Sequence, residues 1–367
     1  IRFYDILGPF GDNILYIDEP GNIVTVFLSP EKSPRNLWSW IAGPSVDSDT
    51  GITHFIPPAG FPFGYHSRGI NNWNHFWYRM SLGGKFRRGA GSVVLIVCNV
   101  LGLGWLGRFG EDAVIYDCAD EISEFRQARM NPRAVRVQEI ELMKRADAVV
   151  TTSQRLFDAK SVHAKKSRLI RNAAEIEHFK AAMNPGARPH DIAHLDKPVV
   201  GFYGYLADWL DWPLIEHVVK KGDEFDWVFI GPSTRNLSDL EKLPNFHALG
   251  KKPYSELPRY LGHFACAHIP FDRTPLTVNV NPVKVYEYLA GGVPVVATRL
   301  PELEAFGDIC GLTNDPVEYL KSIREEIKSD TKEKREVRAM RVAGETWDSR
   351  AEDYRTLINE ILREKGH

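Results

Sequence analysis

The stretch VNVNPVKVYEYLAGGVPVVAT, residues 278–298, decides the fold. Asn281 and Pro282 read as an N-cap and a first helical position, and VKVYEYLA as a short helix. Gly291 and Gly292 stop the helix, and VPVVAT follows as a strand with no polar face. Such a strand belongs in a parallel sheet covered by helices on both sides. Lys284 and Glu287 lie three residues apart, so they share one face in the first turns of the helix. A helix N-terminus attracts anions. Two readings stay open from this stretch. Either Lys284 holds a phosphate while Glu287 takes a hydroxyl, or the two form an ordinary surface ion pair.

Working outward, strand and helix alternate along the chain. NILYIDE (13–19), NIVTVFLS (22–29), SVVLIVCN (92–99), DAVIYDCAD (112–120), DAVVTTS (147–153) and SRLIRNA (167–173) read as strands. Residues 121–146 have helical periodicity. MNPGARPHDIAHLDK, 183–197, loses the pattern and reads as a linker. The alternation then restarts with PVVGFYGYLA (198–207), DWVFIGPS (226–233), FHALGK (246–251), ACAHIPF (265–271), VPVVATRL (293–300) and CGLTND (310–315). Helices are expected at 211–222, 254–263 and 284–290, with a broken helix pair at the end. The expected organisation is an α/β domain over 1–190, a second over 191–345, and a C-terminal helix, 346–367, that packs back on the first.

Bulk properties narrow the function. The hydrophobic content of 43% and charged content of 26% are those of a globular chain, and a net charge of −2 gives no basic field for nucleic acid. The four cysteines show no metal or Cys-x-x-Cys spacing, which suits a reducing, cytoplasmic compartment. No apolar run approaches the roughly 20 residues of a membrane span. The chain opens on Ile1 and enters a strand-like run almost at once, so a preceding strand and helix are expected.

Two motifs are decoys. GLGWLG (102–107) matches a dinucleotide fingerprint, with Asp120 eighteen residues after Gly102, but the next strand leaves no room for the required helix. A turn or open loop is expected there. Asp47-Ser48-Asp49 resembles a metal-gripping Asp-x-Asp, but no strand precedes it. No metal is expected.

The strand ends of the second half carry more. Gly204 and Tyr205 follow its first strand, Gly231 ends its second, and Lys252 and Tyr254 follow its third. The fourth leads into Asn281, Val283, Lys284 and Glu287. Ligands of open parallel sheets bind at such a rim, and these nine residues form the candidate donor-binding set for a nucleoside diphosphate.

Here the sequence resembles a family. NPVKVYEYLAGGVPVVAT is similar to the C-terminal signature of GT-B glycosyltransferases of the family-4-like kind, in the branch with teichuronic-acid and xanthan glucuronosyl transferases. VIYDCADEISEF (114–125), ELMKRADAVVTTSQRLFDAK (141–160), RLIRNAAEIEHF (168–179), GFYGYLADWLDWPLI (201–215) and TWDSRAEDYRTLI (346–358) resemble family blocks in order. The resemblance implies two Rossmann-like domains across a cleft and a metal-independent, cofactor-free transfer from a UDP-sugar. It puts Lys284 on the diphosphate and Glu287 on the ribose. The acceptor would be a saccharide, in one version lipid-linked, with peripheral contact at the inner face of a membrane. Asp120 matches the family's general base and competes with a reading as a helix N-cap. The sequence departs at Asn279, where relatives carry Glu, at Asn172-Ala173, where they carry Asn-Gly, and in YLADW, which lacks their basic residue.

Other readings of the same residues are a nucleotide-sugar 2-epimerase, a non-catalytic nucleotide-sugar-binding protein, and an NAD oxidoreductase resting on GLGWLG. The aromatic segment 60–80, followed by KFRR (85–88), reads first as core aromatics and second as a lipid-facing surface.

Overall fold

The computed structural model describes residues 14–17, 45–46, 53–55, 57–58, 60–82, 91–124 and 131–367. NIVTVFLS, Asp47-Ser48-Asp49 and KFRR lie outside the described residues. The chain forms two compact units, one running up to Arg171 and including Arg350–His367, the other Asn172–Ser349.

In the first unit, β1 (Leu15–Ile17), β2 (Ser45–Val46) and β3 (Thr53–Phe55) form a small sheet in which β2 runs antiparallel to β3. Helix α1 (Arg68–Leu82) leads to β4 (Val94–Val97) and β5 (Ala113–Cys118). Then come α2 (Pro132–Arg145), β6 (Ala148–Thr151), α3 (Gln154–Lys160) and β7 (Ser167–Leu169). Strands β4 to β7 make a parallel sheet in sequence order, and β5 and β6 are buried at every position.

The second unit runs through α4 (Ile176–Lys180), β8 (Val199–Tyr203), α5 (Trp212–Lys221), β9 (Asp226–Ile230) and β10 (Phe246–Ala248). It continues with α6 (Leu257–Leu261), β11 (Cys266–Ile269), α7 (Val283–Ala290), β12 (Val295–Ala297) and β13 (Gly311–Leu312). Helices α8 (Pro316–Ser329) and α9 (Lys332–Arg341) follow, and α10 (Trp347–Glu364) leads back into the first unit. The six strands are all parallel, in the order β10-β9-β8-β11-β12-β13. The order reverses between β8 and β11, which makes their C-terminal ends the switch point where such sheets bind ligands. Alternate residues of each strand feed two cores. Val199, Val228 and Ala267 pack with α4 and α7, while Val200, Trp227 and Cys266 pack with α5 and α8.

The division falls after Arg171, not at residue 190. Ile176, Phe179, Ala182, Ile192 and Leu195 are buried in the same core as β8 and α7, so this Pro- and Gly-rich stretch packs as part of the second unit. Helix α8 has no counterpart in the sequence reading, although Asp315 and Pro316 are a side-chain N-cap and a proline at the helix start. On α10, Glu360 pairs with Arg168 and Glu364 with Lys166, while Lys365 just beyond it pairs with Asp147, so the end of the chain is tied to β6 and β7.

GLGWLG forms a 3-10 turn, Val100–Trp105, that runs into β5 without a following helix. Its glycines serve packing. A Cβ on Gly102 would stand 2.3 Å from Val97 Cγ1, and one on Gly104 2.4 Å from the His75 ring.

His268, in the middle of β11, is fully buried among Phe202, Trp227, Phe229 and Tyr319, and neither ring nitrogen has a hydrogen-bond partner. Burial lowers its pKa to about 3. The unfolded chain, with an ordinary histidine, therefore binds this proton more readily, and stability falls as pH drops below about 6.5. Between pH 7 and 5 the loss for this group is about 2 kcal/mol. Denaturant unfolding of His268→Leu should lose less stability over that interval than the wild type.

Candidate functional site

The site in the second unit is built where backbones meet. Gly204 follows β8 with φ +152° and Gly231 follows β9 with φ +141°. Gly204 N–H donates to the Ile230 carbonyl at 2.8 Å, and Gly231 N–H to the Gly250 carbonyl at 2.8 Å. A Cβ on Gly231 would lie 1.8 Å from the Gly204 oxygen, so only glycine fits. A Cβ on Gly204 would lie 3.4 Å from Lys284 Cε, which places the lysine stem over this junction.

Helix α7 opens on Pro282 without a side-chain cap. The five-residue helices α4 and α6 also lack one, whereas α2, α3, α5, α8 and α9 are capped by Asn131, Ser153, Asp211, Asp315 and Thr331. The amides at Val283 and Lys284, both half-buried, thus begin an uncapped dipole at the switch point. Lys284 Nζ donates to Glu287 Oε2 at 3.1 Å and stands 5.2 Å from the centroid of the Tyr203 ring. Both readings of this pair therefore have a place in the geometry. The pair exists, but Glu287 is buried and Lys284 half-buried at the switch-point rim rather than on an open surface.

Asn281 is not the N-cap. Its side chain is buried, accepting from Asn172 N–H at 3.0 Å and donating to Tyr286 Oη at 3.1 Å and Glu302 Oε2 at 3.2 Å. The asparagine ties the start of the second unit to the α7 entry. Lys252 is also turned away from the rim: its ammonium pairs with Asp191 at 2.5 Å, and Asp191 accepts from Tyr260 Oη at 2.8 Å. Asn279 donates to the Pro275 carbonyl at 2.7 Å. Tyr254 stacks on His178 with centroids 4.9 Å apart, and Tyr205 leans on Trp209, each ring keeping an exposed face. The structure thus gathers Gly204, Gly231, Val283, Lys284 and Glu287, leaves Tyr205 and Tyr254 as exposed rings, and commits Asn281 and Lys252 elsewhere. Tyr203 was missed because its place at the end of an apolar strand reads as core.

In the first unit, Asp117 is fully buried and Asp120 half-buried just past the end of β5. Both neighbours of Asp120 are held. The Ala119 carbonyl accepts from Thr152 Oγ1 at 2.6 Å, and the Glu121 carboxylate meets Lys160 Nζ at 2.9 Å. Lys160 is itself buried against Glu139 at 2.7 Å, and Glu139 also accepts from Tyr116 Oη at 2.9 Å. Burial opposes the charge on Lys160, but Glu139 and further hydrogen bonds to Glu139 and Glu121 leave its pKa raised. A signal existed: Glu139 stands in the buried stripe of α2 with Val135, Leu142 and Met143.

Among the described residues no group of three or more His, Cys, Asp or Glu side chains is placed to hold a metal ion. Among them, too, no helix is long and apolar enough to cross a membrane. Replacing Lys160 by methionine strands two carboxylates, one deeply buried. Such a change should destabilise by about 3–5 kcal/mol, read as an earlier denaturant midpoint for the first unit.

No family model matches the sequence. The chain is 29% identical over 210 residues to a Bacillus subtilis (strain 168) protein named for teichuronic acid biosynthesis as the glycosyltransferase TuaH. The match covers 52% of this chain and 51% of that protein, so the chain spans about half the length of the curated relative it matches. Among solved structures it is similar to sucrose-phosphate synthase of Thermosynechococcus elongatus, with TM-score 0.69, 14% identity, and 99% of this chain and 92% of that one covered. HepE of Anabaena in complex with UDP matches with TM-score 0.64 and 15% identity, over 98% of this chain and 95% of that one. The chain thus has the GT-B fold of these proteins, with a Rossmann-like sheet in each of its two units.

Proposed function

We propose that this chain transfers a sugar from a UDP-sugar to a saccharide hydroxyl. The observation that carries the reading is the uncapped start of α7, with Lys284 and Glu287 beside the Gly204–Gly231 junction at the switch point. Lys284 and the helix dipole take up charge on the diphosphate as the bond from the anomeric carbon to phosphate oxygen breaks. The diphosphate leaves with the electron pair. Glu287 accepts from the ribose hydroxyls, and Tyr254 or Tyr205 offers a ring to the base. The acceptor oxygen forms the new bond to the anomeric carbon, and Asp120 takes its proton if the reaction inverts. These roles need no metal or organic cofactor. The reading is supported by structural neighbours solved with UDP-glucose and with UDP and glucose, and by the name of the Bacillus relative.

Calorimetric titration with UDP, GDP and ADP tests the donor site. UDP should bind selectively, and Lys284→Ala should weaken it about 10-fold or more, the size of a charge-assisted hydrogen bond. No binding of any nucleoside diphosphate overturns the reading. Asp120→Asn should retain UDP binding while transfer falls about 10²–10⁴-fold. Conversion of the donor to its sugar epimer without acceptor would instead favour a 2-epimerase.

A specific observation bears on the acceptor. Helix α1 is inverted: Asn71, Asn74 and His75 face inward, while Trp73, Phe76, Trp77 and Met80 are exposed. The buried amides are satisfied, Asn71 donating to the Leu101 carbonyl at 3.0 Å and Asn74 exchanging bonds with the Phe61 backbone at 2.9 Å. The expectation of core aromatics therefore holds for Tyr78 but fails for Phe61, Phe63, Trp73, Phe76 and Trp77, which are exposed. An aromatic face of this kind suits the interface of a lipid bilayer, where a lipid-linked saccharide would be presented. Co-sedimentation with phosphatidylglycerol vesicles should show binding that Trp73→Ser/Phe76→Ser/Trp77→Ser abolishes, with UDP affinity unchanged. Equal sedimentation of both proteins overturns the membrane reading and leaves the donor site standing.

A further inference from the structure

Tyr203, the last residue of β8, has a buried hydroxyl that makes no well-formed hydrogen bond in the described fold. The side chain is 1% exposed, yet its Oη has no hydrogen-bond partner. Its surroundings are fixed. The ring stacks parallel to Phe179 at 6.0 Å and meets Tyr288 edge-on at 4.9 Å, and its own N–H donates to Tyr288 Oη at 3.1 Å. The Lys284 ammonium stands over the ring. Burial raises the phenol's pKa well above its ordinary value, and the neighbouring Glu287 carboxylate raises it further, by its charge and by its approach to the hydroxyl as a hydrogen-bond acceptor. A phenol kept protonated is a hydrogen-bond donor, and an unmade bond in a buried site is destabilising.

The lysine's partner in the Lys284–Glu287 pair is the carboxylate that a ribose would need. A diphosphate that draws Lys284 away removes the cation holding Glu287 at 3.1 Å. Resting on the donor-site reading above, we propose that Tyr203 Oη then donates to Glu287. The phenol holds the carboxylate in place to accept from the ribose, which makes Tyr203 a positioning residue for ribose recognition. The orphaned hydroxyl is thus a donor waiting for the bound state, and the uncompensated burial is carried only by the free protein.

The test is calorimetry with UDP, 2′-deoxy-UDP and 3′-deoxy-UDP on wild type, Tyr203→Phe and Lys284→Ala, with thermal melts of each free protein. Wild type should prefer UDP over at least one deoxy analogue by about 10-fold. Tyr203→Phe should bring that ratio close to one while its affinity for the discriminated analogue stays within about twofold. The same variant should melt no lower than wild type without ligand, because it removes a buried hydroxyl that makes no well-formed hydrogen bond. Lys284→Ala should weaken all three nucleotides alike and keep the ratio. If Tyr203→Phe weakens all three equally, or leaves the ratio intact, the inference is overturned and the donor site survives. If wild type binds none of them, or binds all three equally, the donor-site reading of Glu287 falls and takes the inference with it.

Discussion

A carbonyl oxygen and a glycine that has no room for a side chain hold the second unit's site together. The Gly204 oxygen sits where a Cβ of residue 231 would be, 1.8 Å away. This lets the ends of β8 and β9 run together beyond their ladder and keeps Gly204 bare beneath the stem of Lys284. Everything else at the rim follows from it. Tyr203 is clamped by Tyr288 from below and by the lysine from above, and α7 can start close to the sheet because no side chain intervenes.

Two local rules are broken together at this rim. Five helices carry side-chain caps, while α7, like the five-residue helices α4 and α6, starts without one. The buried Tyr319 hydroxyl finds an acceptor at the Val296 carbonyl, 3.0 Å away, while that of Tyr203 makes no well-formed bond. An uncapped dipole and an unused donor within one turn of a half-buried ion pair are unfavourable for the free protein. On the proposed reading, an anion and a hydroxylated ring would make them favourable. Stability and binding draw on the same few groups.

The first unit solves a different problem. Its inverted helix α1 keeps polar side chains inside by satisfying each of them, so the exposed aromatic face is a product of packing and not of a weak core. Around Asp120, the chain uses a buried lysine between two carboxylates and a threonine hydroxyl to hold the residues on either side. Such an arrangement fixes a short loop where hydrophobic packing has no purchase. Removing any one charge leaves another stranded.

Alternation of apolar runs with amphipathic ones was enough to read an α/β chain with parallel sheets, and Gly204, Gly231, Lys284 and Glu287 stood out as strand-end and helix-start residues because glycine and helical spacing carry local meaning. Three things were decided only by the tertiary structure. Asn281 and Lys252 sat at the right places in the sequence, but burial against Tyr286 and Glu302, and pairing with Asp191, turned their side chains away from the rim. The segment after Arg171, loop-like in composition, joined the second core because Phe179 and Ile192 bury there. Tyr203 looked like any strand aromatic, since whether a hydroxyl finds a partner depends on residues more than eighty positions away, such as Lys284, Glu287 and Tyr288. Periodicity reports which face a residue is on; only packing decides what that face meets.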